Sequence, residues 1–346
     1  MRCMILDQLR LPIVLAPLAG GPSTPRLVAE ASEADAFGFL AAGYLTAQRL
    51  AEQLVELRSL TARSFGVNVF SPPPAPADPG SYADYVDEIR QWAAARGLPV
   101  GEPRFHDDHF AEKLDLLTAD PAAVVSFTFG MPDAEAVRRL HDAGSEVWVT
   151  VTSPREAAIA VAGDADALIA QGIEAGGHRG CFEEDEAAPA HSLPELMQLL
   201  AGAGKPLVAA GGIMSGQAIA AVLDAGGRAA QLGTAFLLCP EAGTSDPHRQ
   251  ALRRGDAPTR LTRAFTGRTA RGILNRFMLD HDARAVAAYP EIHEVTLPFR
   301  QAARIAGDGS VINLWAGESY AVIRELPAAE LVRLLADELD AAQTSS

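Results

Sequence analysis

Short, nearly continuous apolar runs alternate along this chain with longer stretches whose apolar positions recur every three or four residues. That alternation predicts a parallel sheet covered by helices, because strands buried on both faces read as unbroken hydrophobic segments. The predicted strands are Pro12–Leu18, Phe37–Ala42, Phe65–Phe70, Val124–Phe129, Glu146–Thr152, Ala167–Gln171, Pro206–Ala210 and Ala229–Gly233. Helices fall between them. Thr46 is placed to cap Ala47–Leu57, Asp133 opens Ala134–Asp142, Ser153-Pro154 starts the next helix, and Ser215 precedes Gln217–Leu223. Sequential βα units of this number close most economically into a (β/α)8 TIM barrel. A doubly wound open sheet gives the same alternation and is the alternative fold.

The rhythm breaks twice. Residues 71–123 form an excursion that leaves the third strand through the proline-rich Ser71–Gly80, then carries helical runs at Tyr82–Ala95 and His109–Leu117. After Cys239 the βα pattern stops. The expected division is therefore a barrel over 1–240 and a mainly helical C-terminal domain over 241–346 that caps the active site, ending in an amphipathic helix at Ala328–Leu339.

Composition narrows the function. A net charge of −15 argues against nucleic acid or an anionic membrane as the main partner, since both need a positive surface. Cys3, Cys181 and Cys239 are too scattered for a disulfide framework or a CxxC metal site. The first residues show no long apolar leader and no run reaches membrane-span length, so a cytoplasmic protein is expected. The only lysines, Lys113 and Lys205, are badly placed for Schiff-base chemistry at a barrel mouth. The acidic run Glu183–Glu186 reads as a solvated loop, and His106, Asp107, Asp108 and His109 lie away from the strand ends, so no metal is expected.

In a barrel, chemistry belongs to the residues at the strand C-termini. Strand one ends Ala16-Pro17-Leu18-Ala19-Gly20-Gly21, and strand three carries Asn68. Strand seven ends Gly211-Gly212, and strand eight ends Gln231-Leu232-Gly233-Thr234. A glycine pair after a strand serves either a tight turn or close backbone approach to a ligand. Glycines after both final strands, a pair after strand seven and one in Gly-Thr after strand eight, favour a phosphate cradle. No GxGxxG follows the first strand, so a dinucleotide fingerprint is absent. After strand six, Gly176-Gly177 sets His178 on a closely approaching loop, where it can act as a general base or, protonated, hold an anion. Gln171 and Asn68 have amides suited to a heterocycle's imide edge, or to satisfying a strand end. Cys181 has no oriented base beside it, and Arg268 and Arg271 suit an anion contact or interdomain ion pairs equally.

These segments resemble the motifs of class I nitronate monooxygenases, formerly called 2-nitropropane dioxygenases. The resemblance lies in Ala16–Pro25, Phe65–Phe70, Val125–Gly130 and Glu174–Gly180, and it extends through Gly211–Ile213 and Gln231–Phe236 to Leu314–Gly317 and Leu326–Leu331, nearly the whole chain. It implies FMN held noncovalently. Ala16, Pro17, Leu18 and Asn68 would line the ring system, with Gln171, Gly176 and Gly177 beside it, and Gly211, Gly212, Gln231, Leu232, Gly233 and Thr234 would hold the phosphate end. His178 matches the catalytic histidine, which deprotonates a nitroalkane or binds a nitronate. Dioxygen would then be consumed and a carbonyl compound and nitrogen oxides formed, by a monomer or homodimer. Leu18 stands where methionine is common and Cys181 where Ser or Thr is expected. Trp315 and Tyr320 are candidates for the substrate pocket. An FMN-dependent enoyl-thioester reductase using NADH, which shares the barrel and a Gly-Gly-His segment, is the runner-up, and a noncatalytic flavin sensor is a third reading.

Overall fold

The computed structural model describes residues 4–184 and 190–344; Cys3, Asp185 and Glu186 lie outside the described residues. Its strands are β1 (Ile13–Leu15), β2 (Phe37–Ala41), β3 (Gly66–Phe70), β4 (Val124–Thr128), β5 (Glu146–Val151), β6 (Ala167–Gln171), β7 (Gly177–His178), β8 (Leu207–Ala210), β9 (Ala229–Leu232), β10 (Thr259–Thr262) and β11 (Ala270–Ile273). The eight strands β1–β6, β8 and β9 form a closed parallel barrel, sealed where Val14 of β1 pairs with Gln231 of β9. Closure settles the alternation in favour of the (β/α)8 TIM barrel over an open doubly wound sheet. The expected caps are in place: Thr46, Asp133, Ser153 and Ser215 each accept a backbone N–H from the first turn of their helix.

Strand side chains alternate between faces, so every second residue points into the barrel. The lower interior is apolar. Phe37, Phe39 and Trp148 interlock with ring centroids 5.3–5.8 Å apart, alongside Val14, Ile169 and Val208. Gly66 makes room for Phe39, whose ring would collide with any Cβ there. The helix Ile5–Gln8 closes the floor: the Ile5 N–H donates to Glu146 Oε1 at 2.7 Å, and Trp148 Nε1 donates to the other carboxylate oxygen at 2.9 Å. Further along five of the eight barrel strands the inward positions turn polar, at Asn68, Thr128, Thr150, Gln171 and Gln231. The barrel thus has a dry floor and a polar rim.

The excursion and the region after β9 build one cap over that rim. Tyr85 and Ile89 of the helix Pro79–Ala94 share a core with Phe265, Phe277 and Phe299. Residues after Cys239 are not all helical: β10 and β11 pair antiparallel, and β11 also pairs with β7, His178 opposite Ala270. Sequence pattern missed this sheet because β7 is a two-residue strand whose partner lies far along the chain. The final helix Ala328–Thr344 turns back onto the barrel, where Glu338 Oε2 accepts the Gly216 N–H at 2.8 Å.

The excursion contributes a clamp. Lys113 on the helix Phe110–Ala119 is fully buried, and its Nζ lies 2.7 Å from Asp108 Oδ2. Asp108 Oδ1 accepts the Tyr44 N–H at 3.0 Å and holds that residue at φ +69°, a conformation unfavourable for a bulky side chain. Asp108 therefore serves as structure; among the described residues no three or more His, Cys, Asp or Glu side chains cluster where they could hold a metal ion. Asp108→Asn would leave the Lys113 ammonium buried without its counter-charge, a loss of about 3–5 kcal/mol. Urea denaturation measures it; a stability unchanged within about 1 kcal/mol would refute the clamp.

Candidate active site

A cavity of about 570 Å³ lies between the polar rim and the cap. Ala16–Leu18, Asn68, Gln171, Gly176 to His178, Gly211–Gly212 and Gln231–Thr234 all line it, and so do Trp315 and Tyr320. The strand-end residues picked from sequence therefore converge on one space. Arg268, Arg271 and Cys181 stand outside that lining.

At one end of the cavity Gly211 and Gly212 adopt φ +124° and +68°, the left-handed region that glycine enters freely, and so turn the backbone toward the ligand space. Thr234 Oγ1 accepts the Gly317 N–H of the cap at 2.9 Å and keeps its own proton to donate. Gln231 Oε1 is buried without a hydrogen-bond partner among the described residues, although buried acceptors are nearly always paired. A polar ligand against β9 would satisfy it. Asn68 Nδ2 donates to Ser126 Oγ and Thr128 Oγ1, each at 3.0 Å. Gln171 is committed differently from an imide partner. Its Nε2 donates to the His178 carbonyl at 3.1 Å and its Oε1 accepts the Gly180 N–H at 2.8 Å, so both ends of the amide fasten the His178 loop to the rim.

His178 sits on β7 between the barrel and the cap. Its Nε2 lies 2.9 Å from Thr266 Oγ1, which donates its own proton to the Arg268 carbonyl at 3.1 Å. Thr266 therefore accepts from Nε2–H, which leaves Nδ1 as the basic nitrogen. Phe129, Trp315 and Tyr289 surround the ring at 5.8, 5.5 and 6.1 Å between centroids. Burial, reinforced by the Arg268 charge, lowers the imidazole from 6.5 to about 3, so it is neutral at physiological pH.

The opposite wall comes from the cap helix Glu291–Ala306. His293, Arg300 and Arg304 recur there at helical spacing on one face and line the cavity. Arg300 is almost wholly buried, and burial lowers its guanidinium to about 9. Arg300 and Arg304 share Asn313 Oδ1 at 3.1 and 2.7 Å, and neither has a carboxylate ion-pair partner among the described residues. Tyr44 lies flat on His293, centroids 4.3 Å apart and 6° from parallel. None of these four was picked out from sequence. The available signal was a stripe of His and Arg along the face of a helix that otherwise reads as core.

The remaining candidates are structural. Arg271 Nη2 pairs with Glu318 at 2.8 Å, and Arg268 covers the Phe129 ring at 3.9 Å and donates to the Cys181 carbonyl. Glu184, expected in a solvated loop, is instead tied to Arg263 at 3.0 Å and to Thr269 Oγ1 at 2.6 Å, because β11 and its approach need an anchor on the rim loop. Burial raises the Cys181 thiol to about 11, which removes it as a nucleophile.

A capped eight-stranded barrel with its polar groups gathered at the C-terminal rim is the architecture of a TIM-barrel enzyme. The chain belongs to the nitronate monooxygenase family, whose profile matches residues 4–338. It is 41% identical to the nitronate monooxygenase of Pseudomonas aeruginosa, over 95% of this chain and 96% of that protein. It is 39% identical to that of Paraburkholderia phytofirmans, over 95% and 92%. Among solved structures, nitroalkane oxidase from Streptomyces ansochromogenes superposes with a TM-score of 0.95 at 48% identity, covering 99% of both chains. FabK from Thermotoga maritima, with a TM-score of 0.77 at 24% identity over 98% and 96%, shares the fold. The protein is thus a flavin-dependent oxidoreductase of this family. Its site suits a flavin: the glycine cradle, the Thr234 hydroxyl and the orphaned Gln231 oxygen lie along one side of the cavity.

The buried histidines make stability depend on pH. Burial holds His178 near 3 and His248 near 4, whereas in the unfolded chain they take up protons near 6.5. Between those values the unfolded state binds more protons, so stability falls as pH drops below about 6.5. The thermal midpoint is expected to fall steadily between pH 7 and pH 5. Calorimetry checks this, and equal midpoints would contradict it.

Proposed function

We propose that this enzyme binds FMN along the β8–β9 side of the cavity and oxidises alkyl nitronates with dioxygen to carbonyl compounds and nitrogen oxides. The observation that carries the reading is the pair of buried Arg300 and half-buried Arg304, which face the cavity with no carboxylate ion-pair partner among the described residues. Buried charge without a partner is costly, and a small anion in the cavity supplies the missing counter-charge. A single phosphate cradle and the missing GxGxxG support a mononucleotide over a dinucleotide. The flavin, when bound, carries electrons from substrate to dioxygen.

The chain's own residues orient the anion and manage its proton. Thr266 fixes the His178 tautomer, and the Gln171 amide fixes its loop. A neutral imidazole held near 3 has little drive to remove a carbon-bound proton, so an already ionised nitronate is a better substrate than its neutral nitroalkane. Once an anion is bound, its charge raises the imidazole again and His178 becomes a better donor to it. Phe129 and Trp315 pack edge-on against the ring and narrow the space around it. The reaction would proceed in the cytoplasm, in a monomer or homodimer.

Oxygen uptake by the purified protein with propionate 3-nitronate and no NADH or NADPH tests this. Rapid uptake is expected. Absence of uptake, with reduction of the flavin by NADH, would instead support the enoyl-thioester reductase reading. His178→Asn is expected to lower kcat/KM for the nitronate by roughly 10²-fold. Unchanged turnover in that variant would remove His178 from the chemistry.

A further inference from the structure

His293 is fixed in orientation and in tautomer. Arg300 Nη2 lies 3.3 Å from His293 Nδ1 and donates to the His293 carbonyl at 3.1 Å. A guanidinium has only donors, so Nδ1 accepts and the ring hydrogen sits on Nε2. Tyr44 stacks flat on one face of the imidazole, and the Tyr289 ring stands across it at 6.3 Å and 72°. The Asp108–Lys113 clamp holds the Tyr44 backbone, so the stacking surface is itself fixed. The ring lines the cavity, yet Nε2 has no hydrogen-bond partner among the described residues and is not sealed off as the Tyr44 and Tyr289 hydroxyls are. Burial, then the Arg300 charge, hold this histidine well below its ordinary value, so it remains a neutral donor.

We propose that the Nε2–H of His293 binds a substrate oxygen of the nitronate group, as a specificity-determining contact separate from His178. The proposal rests on the reading that the substrate is a nitronate. Arg300 is already bonded to Thr296 Oγ1, Asn313 Oδ1 and His293, and its charge polarises the imidazole toward the cavity. Held neutral, His293 donates a hydrogen bond without changing its own charge. The two histidines therefore have separate roles, with His293 holding the oxygen and His178 answering the charge of the bound anion.

Calorimetric titration of the flavin-loaded protein with sodium nitrate, a planar oxyanion shaped like the NO2 end of a nitronate, tests the contact at constant ionic strength. Wild-type protein is expected to bind nitrate. His293→Phe keeps a ring against Tyr44 but removes the donor, and its affinity is expected to fall roughly tenfold or more. His293→Gln, which places an amide N–H at similar reach, is expected to recover affinity to within about threefold of wild type. Three results would overturn the proposal: no nitrate binding by wild type, unchanged binding by His293→Phe, or His293→Gln binding no better than His293→Phe. The expected nitrate pattern without oxygen uptake on propionate 3-nitronate would support the donor and count against nitronate oxidation.

Discussion

Closing the sheet by pairing β9 with β1 imposes a constraint from which the rest of the molecule follows. In a closed barrel the inward face of every strand shares one interior, and residues two apart along a strand stack in successive layers. The lower layers are filled by Phe39, Trp148, Ile169 and Val208, and they leave no space for a ligand. The next layer carries Asn68, Thr128, Thr150, Gln171 and Gln231, whose polar groups need partners. Asn68 finds them on β4, Gln171 finds them on the His178 loop, and Gln231 Oε1 finds none among the described residues. The site begins where the apolar filling stops.

Above that layer the cap supplies what strands alone cannot. Its short antiparallel sheet takes in β7, so His178 belongs mechanically to both parts: the Gln171 amide holds it from below and Ala270 and Thr266 from above. The helix Glu291–Ala306 brings buried positive charge to the other wall. The chain as a whole carries −15, yet the strongest charge acting on His178 is Arg268, opposed by Glu184, and the strongest on His293 is Arg300. An acidic surface and a cationic pocket are compatible because burial isolates the pocket from the screened exterior.

Much of this was legible along the chain. Continuous apolar runs marked the barrel strands, since burial on both faces demands them, and Ser, Thr and Asp at the helix starts marked their boundaries. The first strand is shorter than its apolar run, Ile13–Leu15, because Pro12 and Pro17 cannot donate to the ladder. The rim residues were readable for a related reason: strand-end glycines and amides mean little one at a time, but barrel topology gathers all strand ends to one face.

The cap-side wall of the cavity was not legible, because its parts are remote in sequence and carry no motif. Tyr44, His293, Arg300 and the Asp108–Lys113 pair come from three separate segments, and each taken alone reads as a core or surface residue. By itself the sequence determined the succession of βα units and the glycines, amides and His178 at their strand ends, since local periodicity and strand-end chemistry are properties of consecutive residues. Only the tertiary structure decided how β7 pairs, which tautomer each histidine holds, and that two arginines face the cavity unneutralised. Those depend on distances between segments far apart along the chain, and on the absence of a partner, which no local pattern records.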